Sequence, residues 1–149
     1  MSGTDSSQRL AALRTRARRY ALQALYQWDL SGANLSDIET QFREDEDFAN
    51  VDADYFHELL HEIPARLERV DAHYREFLDR PVKELDPVER ALLRMASYEL
   101  ENHLEVPFRV VINEAVNLTK KFGAEQAYKY VNGVLDKVAR QLRPAERDH

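Results

Sequence analysis

Hydrophobic residues recur along most of this chain at intervals of three and four positions, the spacing that gathers side chains on one face of an α-helix. Between these stretches stand residues typical of helix starts and stops rather than of β-hairpin turns. The pattern therefore predicts an all-α protein, and we expect a compact bundle of about seven helices.

The first predicted helix is the longest. It runs from about Ser7 to Leu30, and Gly32 is placed to end it. Its apolar side chains form one stripe, which consists of Leu10, Leu13, Ala17, Ala21, Ala24 and Trp28. A short second helix should follow, because Ser36 and Glu39 have the spacing of a capping box with Ser36 as the N-cap.

Prolines mark several of the remaining helix boundaries. A third helix should start near Asp52, and Pro64 should kink or restart it because proline lacks the backbone N–H that an interior helix position donates. The continuation should end before Pro81. Asp86, which is followed directly by a proline, is a suitable N-cap for a helix that stops near His103.

Two further helices complete the pattern, one from Pro107 to a stop at Gly123 and one over about residues 125–142. The inward side chains of the first of these should be Val110 or Val111, Ala115, Leu118 and Phe122. The two ends of the chain, residues 1–8 and 144–149, should be disordered tails.

Composition excludes several kinds of chemistry. The chain of 149 residues has no cysteine, which excludes disulfides, thiolate nucleophiles, iron–sulfur clusters and cysteine-bound zinc. Its four glycines are not spaced as in a phosphate-binding loop, which excludes the common nucleotide-binding motifs. Since no apolar run approaches about 20 residues, we expect no membrane segment and a soluble, cytoplasmic protein.

Charge is unevenly distributed along the chain. The formal net charge is −6, yet residues 1–20 contain five arginines against a single aspartate. The densest acidic stretch, residues 37–62, contains ten carboxylates and one arginine. A polyanion such as RNA must therefore bind near the N-terminal arginines, because the rest of the surface repels it.

Two groups of residues are candidates for RNA binding. On the first helix, the arc opposite the apolar stripe combines guanidinium, amide and aromatic groups, from Arg16, Arg19, Gln23, Tyr26 and Gln27. Arginines can hold phosphates while an unpaired base stacks on the tyrosine. In the second group, two lysines and an aromatic side chain precede the start of a helix, at Lys120, Lys121, Phe122 and Gly123. For the first group, the alternative is a solvated helix whose arginines pair with acidic residues of the same chain. For the second, it is a helix C-terminus complemented by lysines, with Phe122 in the core.

His57, Glu58 and His61 match the zinc-protease pattern of two histidines four positions apart with a glutamate after the first. A zinc site needs a third protein ligand, for which only His73 and His103 are candidates, and a proline follows three residues after the second histidine. We therefore expect no bound metal, no cofactor and no enzymatic activity. A small zinc hydrolase that uses this match is one alternative function, and a structural homodimer is another.

Four stretches of the sequence occur together in the order found in a known family. They are Arg18–Trp28, Glu89–Arg94, Val111–Val116, and Lys120–Gly123 continuing through Val131–Lys137. With these stretches, which span nearly the whole chain, the sequence resembles the bacterial transcription antitermination factor NusB.

This resemblance implies one all-helical domain over residues 9–143 with two subdomains. It implies three partners, namely the boxA element of nascent RNA, the ribosomal protein NusE and the RNA polymerase antitermination complex of ribosomal RNA operons. The RNA-binding residues it implies are Arg14, Arg16, Arg18, Arg19, Tyr26, Lys120, Lys121, Phe122 and Gly123. Glu89 is the implied NusE contact. Since the family contains both monomers and homodimers, either state is open.

Overall fold

The computed structural model describes residues 3–147, and over this range it contains α-helices and two short 3-10 turns but no β-strand. The all-α prediction is confirmed. The helices are α1 (Gly3–Ser31), α2 (Leu35–Arg43), α3 (Ala53–Ala65), α4 (Leu67–Arg75), α5 (Pro87–Asn102), α6 (Phe108–Phe122), α7 (Ala127–Leu142) and α8 (Pro144–Arg147). The 3-10 turns are Glu46–Asn50 and Val82–Glu84.

The chain divides into two compact units, Met1–Ala65 and Arg66–His149, in agreement with two helical subdomains. The first unit contains α1 to α3, and the second contains α4 to α8. Within the described residues, the helices are all too short or too polar to cross a membrane.

The core of the first unit forms where α1 packs on α2 and α3. As predicted, α1 contributes Ala17, Ala21 and Ala24, to which the structure adds Leu22 and Leu25. The partner helices contribute Ile38, Phe56, Leu59, Leu60 and Ile63. Leu10, predicted for the stripe, is 45% exposed. The backbone N–H of Asp52 donates to the carbonyl of Leu13 at 3.1 Å, so α1 extends beyond the start of α3 and leaves Leu10 uncovered there.

Helix α2 begins earlier than predicted. Asn34 is its N-cap, and the side-chain oxygen of Asn34 accepts the backbone N–H groups of Ser36 at 2.8 Å and Asp37 at 3.1 Å. Ser36 therefore lies inside the helix, and the capping-box prediction is wrong because asparagine two residues earlier offers an equivalent acceptor. Glu39, which was expected to complete the box, is buried instead.

Helix α5 is the central helix of the second unit. All ten of its residues from 91 to 100 are buried, because α4, α6 and α7 pack against it. Its start is as predicted, with the Asp86 carboxylate accepting the backbone N–H of Val88 at 2.8 Å and proline in the first turn. Around it, the core includes Leu93, Leu100, Val111, Val131, Leu135 and Val138.

Helical structure extends further toward both ends of the chain than predicted. Helix α1 begins at Gly3, so residues 3–8 are helical where a disordered tail was expected. Residues 144–147 likewise form α8. The remaining residues of the predicted tails, 1–2 and 148–149, lie outside the described residues.

Arg143, the residue between α7 and α8, explains the helical C-terminal segment. It is 5% exposed and donates hydrogen bonds to four backbone carbonyls, those of Glu99, Leu100, His103 and Val106. Arg143 also pairs with the Glu146 carboxylate at 2.7 Å, and Glu146 accepts the backbone N–H of Phe108 at 2.8 Å. These bonds attach the end of the chain to the loop between α5 and α6.

Candidate nucleic-acid interface

The outer face of α1 borders an open cleft of about 420 Å³. From α1, the lining residues are Arg16, Arg19, Tyr20 and Gln23, and from the segment after α2 they are Asp45, Asp47 and Asn50. The cleft therefore combines two guanidinium groups, two amides and a phenol with two carboxylates. Arg16, Arg19 and Gln23 lie together on the exposed side of α1, as the helical spacing predicts.

Hydrogen bonds within the cleft hold part of its polar surface in place. The Arg16 guanidinium donates to the backbone carbonyl of Asn50 at 3.2 Å, and the Tyr20 hydroxyl donates to the Asp45 carboxylate at 3.2 Å. Burial raises the pKa of Tyr20, and the negative charge of Asp45 raises that pKa further. Tyr20 therefore keeps its proton at neutral pH and remains a hydrogen-bond donor.

Arg18 does not face solvent. It is 3% exposed, and its guanidinium carbon lies 5.4 Å from the centre of the Tyr55 ring. Arg14 packs on the same ring at 4.3 Å and forms an ion pair with Asp52 at 3.6 Å, with 22% of its side chain exposed. The expected exposure of Arg18 to solvent is not found, because the buried side of α1 includes Leu22 and Leu25 and, with them, the positions of Arg14 and Arg18.

Tyr26 lies on the outer side of α1 and is 38% exposed, so its ring is accessible for stacking. The neighbouring amide of Gln27 is engaged within the unit, since its side-chain nitrogen donates to the side-chain oxygen of Gln41 at 3.1 Å. The predicted arc is therefore shorter than expected. Its accessible members are Arg16, Arg19, Gln23 and Tyr26.

The second candidate patch lies at the end of α6, within the second unit. Lys120 and Lys121 are exposed, and the Lys120 ammonium lies 4.7 Å from the centre of the Tyr128 ring. Phe122 is 38% exposed, so its predicted inward position is wrong. It is the last residue of α6, and no following turn of that helix covers its ring. Lysine and phenylalanine side chains are therefore accessible at the end of α6, beside the half-buried Tyr128 of α7.

Gly123 ends α6 as predicted, and the reason is a close approach of the backbone. Its N–H donates to the carbonyl of Thr119 at 2.8 Å, and a Cβ at position 123 would lie 2.9 Å from that oxygen. The left-handed conformation occurs three residues later, at Gln126, where φ is 73°. Helix α7 consequently starts at Ala127 rather than at residue 125.

Glu89, the candidate partner contact, is the third residue of α5 and is half-buried. Burial raises the pKa of Glu89, and the negative charge of Asp86 raises it further. The exposed pair of Asp79 and Arg80 is also close enough to influence that pKa. Tyr130 donates its hydroxyl to Asp79 at 2.9 Å. Sequence reasoning missed Asp79, Arg80 and Tyr130, because the bond between Asp79 and Tyr130 joins residues 51 positions apart.

A third group of polar residues lies between α2 and α3. Glu39 Oε1 is 2.9 Å from His57 Nδ1 and 2.7 Å from His61 Nε2. These three residues form a group whose ligand atoms all lie within 4.8 Å of one another. The third side chain beside the two histidines is therefore Glu39, and not His73 or His103, the two candidates that the sequence offers. The sequence does not reveal this contact, because Glu39 lies 18 positions before His57 and its spacing from Ser36 favours a capping role.

Comparison with known proteins identifies the family. Residues 15–140 match the model of the NusB family. The chain is 56% identical over 133 residues to the transcription antitermination protein NusB of Alcanivorax borkumensis, covering 89% of each protein. It is 54% identical over 137 residues to the protein of the same name from Teredinibacter turnerae, covering 91% of this chain and 93% of the relative.

Solved structures of similar fold come from the same family. T. maritima NusB matches with a TM-score of 0.75 and 28% identity, over 91% of this chain and 97% of that one. A chain from the crystal structure of antitermination factors NusB and NusE in complex with dsRNA matches with a TM-score of 0.72 and 29% identity. The match covers 85% of this chain and 96% of that one.

The names of these relatives describe transcription factors and not an enzyme, which confirms the expectation of a non-catalytic protein and sets the zinc hydrolase aside. The sequence match extends over most of the chain, and the helical architecture agrees with the solved structures. The chain belongs to the NusB family.

Proposed function

We propose that this protein is an RNA-binding adaptor in transcription antitermination that acts together with NusE. The observation that carries the proposal is the likeness to a NusB chain solved with NusE and dsRNA, which extends over 85% of this chain. The role implies that the protein works in the cytoplasm, where bacterial RNA polymerase transcribes. The finer part of the proposal is that the RNA is a boxA element of ribosomal RNA operons and that the assembly joins the RNA polymerase antitermination complex.

The exposed face of α1 has the chemistry that RNA binding requires. Arg16 and Arg19 can donate charge-assisted hydrogen bonds to phosphates, Gln23 can bond to sugars or bases, and the Tyr26 ring can stack on an unpaired base. Arg14 and Arg18 take a different role, because both pack on Tyr55 inside the unit. The proposed RNA contacts of α1 therefore come from its outer residues alone.

The end of α6 supports a second RNA contact, within the other unit. Lys120 and Lys121 can neutralise phosphates, while Phe122 offers an exposed ring for a base. Gly123 supports this contact through the backbone conformation, because the lack of a Cβ lets the chain leave α6 close to the carbonyl of Thr119. A side chain at position 123 would displace the lysines and Phe122 from this arrangement.

The start of α5 supports the NusE contact. Glu89 is half-buried beside Asp86 and the pair of Asp79 and Arg80, so acidic groups predominate there. Ribosomal proteins are generally basic, and a half-buried carboxylate can accept charge-assisted bonds from a lysine or arginine of such a partner. We therefore assign Glu89 to partner docking rather than to RNA binding.

The experiment is RNA binding by fluorescence anisotropy, with and without NusE. Three labelled RNAs are compared: a single-stranded boxA-like RNA, a scrambled RNA of the same composition, and a duplex of the boxA-like sequence. We expect the boxA-like RNA to bind more tightly than the scrambled one, and NusE to strengthen that preference. Equal affinity for both single strands, with NusE present, would contradict the boxA proposal.

A matched pair of variants tests the site. Arg16→Ala with Arg19→Ala should weaken RNA binding by about tenfold or more, because two charge-assisted hydrogen bonds are lost. Arg75→Ala with Arg140→Ala makes the same change of charge at two exposed arginines of the second unit and should have little effect. A stable homodimer by light scattering that binds none of the RNAs would instead support the structural alternative.

A further inference from the structure

We propose that Glu39, His57 and His61 form a binding site for one divalent transition-metal ion of the Zn²⁺ class, between α2 and α3. The three side chains come from two helices of the same unit. Their ligand atoms converge, because Glu39 Oε1 lies within 2.9 Å of a ring nitrogen of each histidine. The two imidazole rings lie side by side, with centres 4.3 Å apart and planes inclined by 31°.

The local helix geometry is suited to such a site. His57 and His61 are four residues apart on α3, which is continuous from Ala53 to Ala65 even though Pro64 lies in its last turn. Both histidines are therefore on one face of an intact helix. Pro64 does not interrupt the helix between the two histidines, since α3 ends only after it.

The donor set favours a borderline-soft ion. Two imidazole nitrogens and one carboxylate oxygen are ligands that Zn²⁺ accepts, whereas Mg²⁺ and Ca²⁺ favour oxygen alone. Around a tetrahedral zinc ion, such atoms would lie about 3.4 Å from one another, given bonds of about 2.0–2.1 Å. The present separations of 2.7 and 2.9 Å are shorter, so the cluster must open by about half an ångström. The His57 side chain is 56% exposed and has room for this movement.

Arg43 holds the carboxylate in position for this role. Its guanidinium bonds to the other oxygen of Glu39, Oε2, at 2.8 and 2.6 Å. Oε1 is thereby directed toward the histidines, as outer-shell partners direct metal ligands in known sites. The Glu39 side chain is only 11% exposed, so a metal ion would hold a buried carboxylate of α2 against α3.

We assign the site a structural role, because the chain belongs to a family named for transcription factors. Solvent can complete the coordination on the side of the exposed His57. The ion would link α2 to α3. It would stabilise the first unit because it binds only the folded chain, in which Glu39 lies next to His57 and His61, 18 and 22 positions further along the sequence.

Zinc uptake by the untagged full-length chain tests this inference. The protein is stripped with a chelator, dialysed against micromolar Zn²⁺ in the presence of millimolar Mg²⁺, and analysed for bound metal. We expect one zinc ion per chain, together with a melting temperature that rises with Zn²⁺ and returns to its starting value with chelator. His57→Gln and Glu39→Gln should each weaken zinc binding by at least about tenfold.

Glu58→Gln is the matched control, because it neutralises a carboxylate on the same helix next to His57. It should bind zinc as the unaltered protein does, and circular dichroism of all three variants in chelator should show an intact helical fold. Failure of the unaltered protein to take up zinc would overturn the proposal. So would zinc binding that is unchanged in both His57→Gln and Glu39→Gln, or that is equally weakened in Glu58→Gln.

Discussion

Arg94 and Asp71 form a bidentate ion pair inside the second unit, with nitrogen–oxygen distances of 2.9 and 3.1 Å. Their side chains are 8% and 12% exposed. The hydroxyl of Tyr74 donates to the same carboxylate at 2.6 Å, and burial followed by the charge of Asp71 raises the pKa of Tyr74 strongly. The pair joins α4 to α5, the central helix of that unit.

Replacing Arg94 with methionine should destabilise the protein by about 3–5 kcal/mol, because it leaves the buried carboxylate of Asp71 without its counter-ion. The measurement is urea denaturation followed by circular dichroism. Arg69→Met is the control, since the Arg69 side chain is 68% exposed in its ion pair with Glu101 and should contribute little to stability. Equal losses for the two variants would contradict this account.

Arg143→Met should lower the free energy of unfolding by about 2–4 kcal/mol. The substitution keeps much of the buried volume but removes a donor from four backbone carbonyls. Those of Glu99 and His103 also accept a backbone N–H, so the main cost arises at the carbonyls of Leu100 and Val106. Deletion of residues 148–149 is a suitable control, because it leaves Arg143 and Glu146 in place. A melting temperature that Arg143→Met leaves unchanged would show that other groups satisfy these carbonyls.

Tyr26→Ala should weaken RNA binding by about 1–3 kcal/mol, the contribution of one stacked base, with little change in stability. Tyr26→Phe keeps the ring and should retain most of the affinity. The measurements are anisotropy titration and thermal melting of the same samples. A loss of folding stability that accounts for the loss of binding would instead identify Tyr26 as a core residue.

The salt dependence of RNA binding should show whether Arg16 and Arg19 contact phosphates. Each phosphate contact on single-stranded RNA contributes about −0.7 to the slope of log affinity against log salt. The variant with both arginines replaced by alanine should therefore have a slope shallower by about 1.4. An unchanged slope would show that neither arginine contacts a phosphate.

Glu89→Gln should not destabilise the protein at neutral pH. Burial, followed by the charge of Asp86, raises the pKa of Glu89, so the folded state binds this proton more tightly than the unfolded chain does. Stability from this group is therefore greatest at low pH and is lost as the pH rises above the ordinary glutamate value of 4.5. We expect the variant to melt at or slightly above the original temperature at pH 7, with the two proteins converging below pH 4.5.

The same variant tests partner docking. Glu89→Gln should weaken NusE binding by at least about 1 kcal/mol in calorimetry, because one member of a close charge pair is lost. RNA binding by the isolated protein should not change. If NusE affinity is unaffected, Glu89 serves only its own helix.

Most of the helical architecture could be predicted from the sequence, because helix boundaries depend on neighbouring residues. Asp86 and the proline after it fixed the start of α5, and Gly123 fixed the end of α6. Errors arose where a side chain has a distant partner. The spacing from Ser36 predicts a capping role for Glu39, which instead bonds to His57. The sequence predicts a disordered tail directly after Arg143, which instead donates to a backbone carbonyl at the end of α5.

The candidate RNA site was predictable only as far as helical periodicity reaches. Periodicity placed Arg16, Arg19 and Tyr26 on the outer face correctly. Arg18 is outside the arc that periodicity predicts and is an RNA contact only by the family resemblance; it is buried, because the width of the buried face depends on which helices pack against α1. An arginine also buries well when an aromatic ring covers its planar guanidinium, as Tyr55 does here, and charge alone does not reveal this.

The cleft beside α1 contains carboxylates that repel phosphate as well as arginines that attract it. Asp45 and Asp47 line the same space as Arg16 and Arg19, so an incoming anion meets repulsion together with attraction. The binding free energy of a single phosphate group in this cleft should therefore be small. An RNA strand carries several phosphates and bases, and some of them would contact the protein away from the two carboxylates. Once the first contact has formed, each further contact forms at a high effective concentration. If the proposed RNA contacts are correct, the cleft should favour a polymer over free nucleotides.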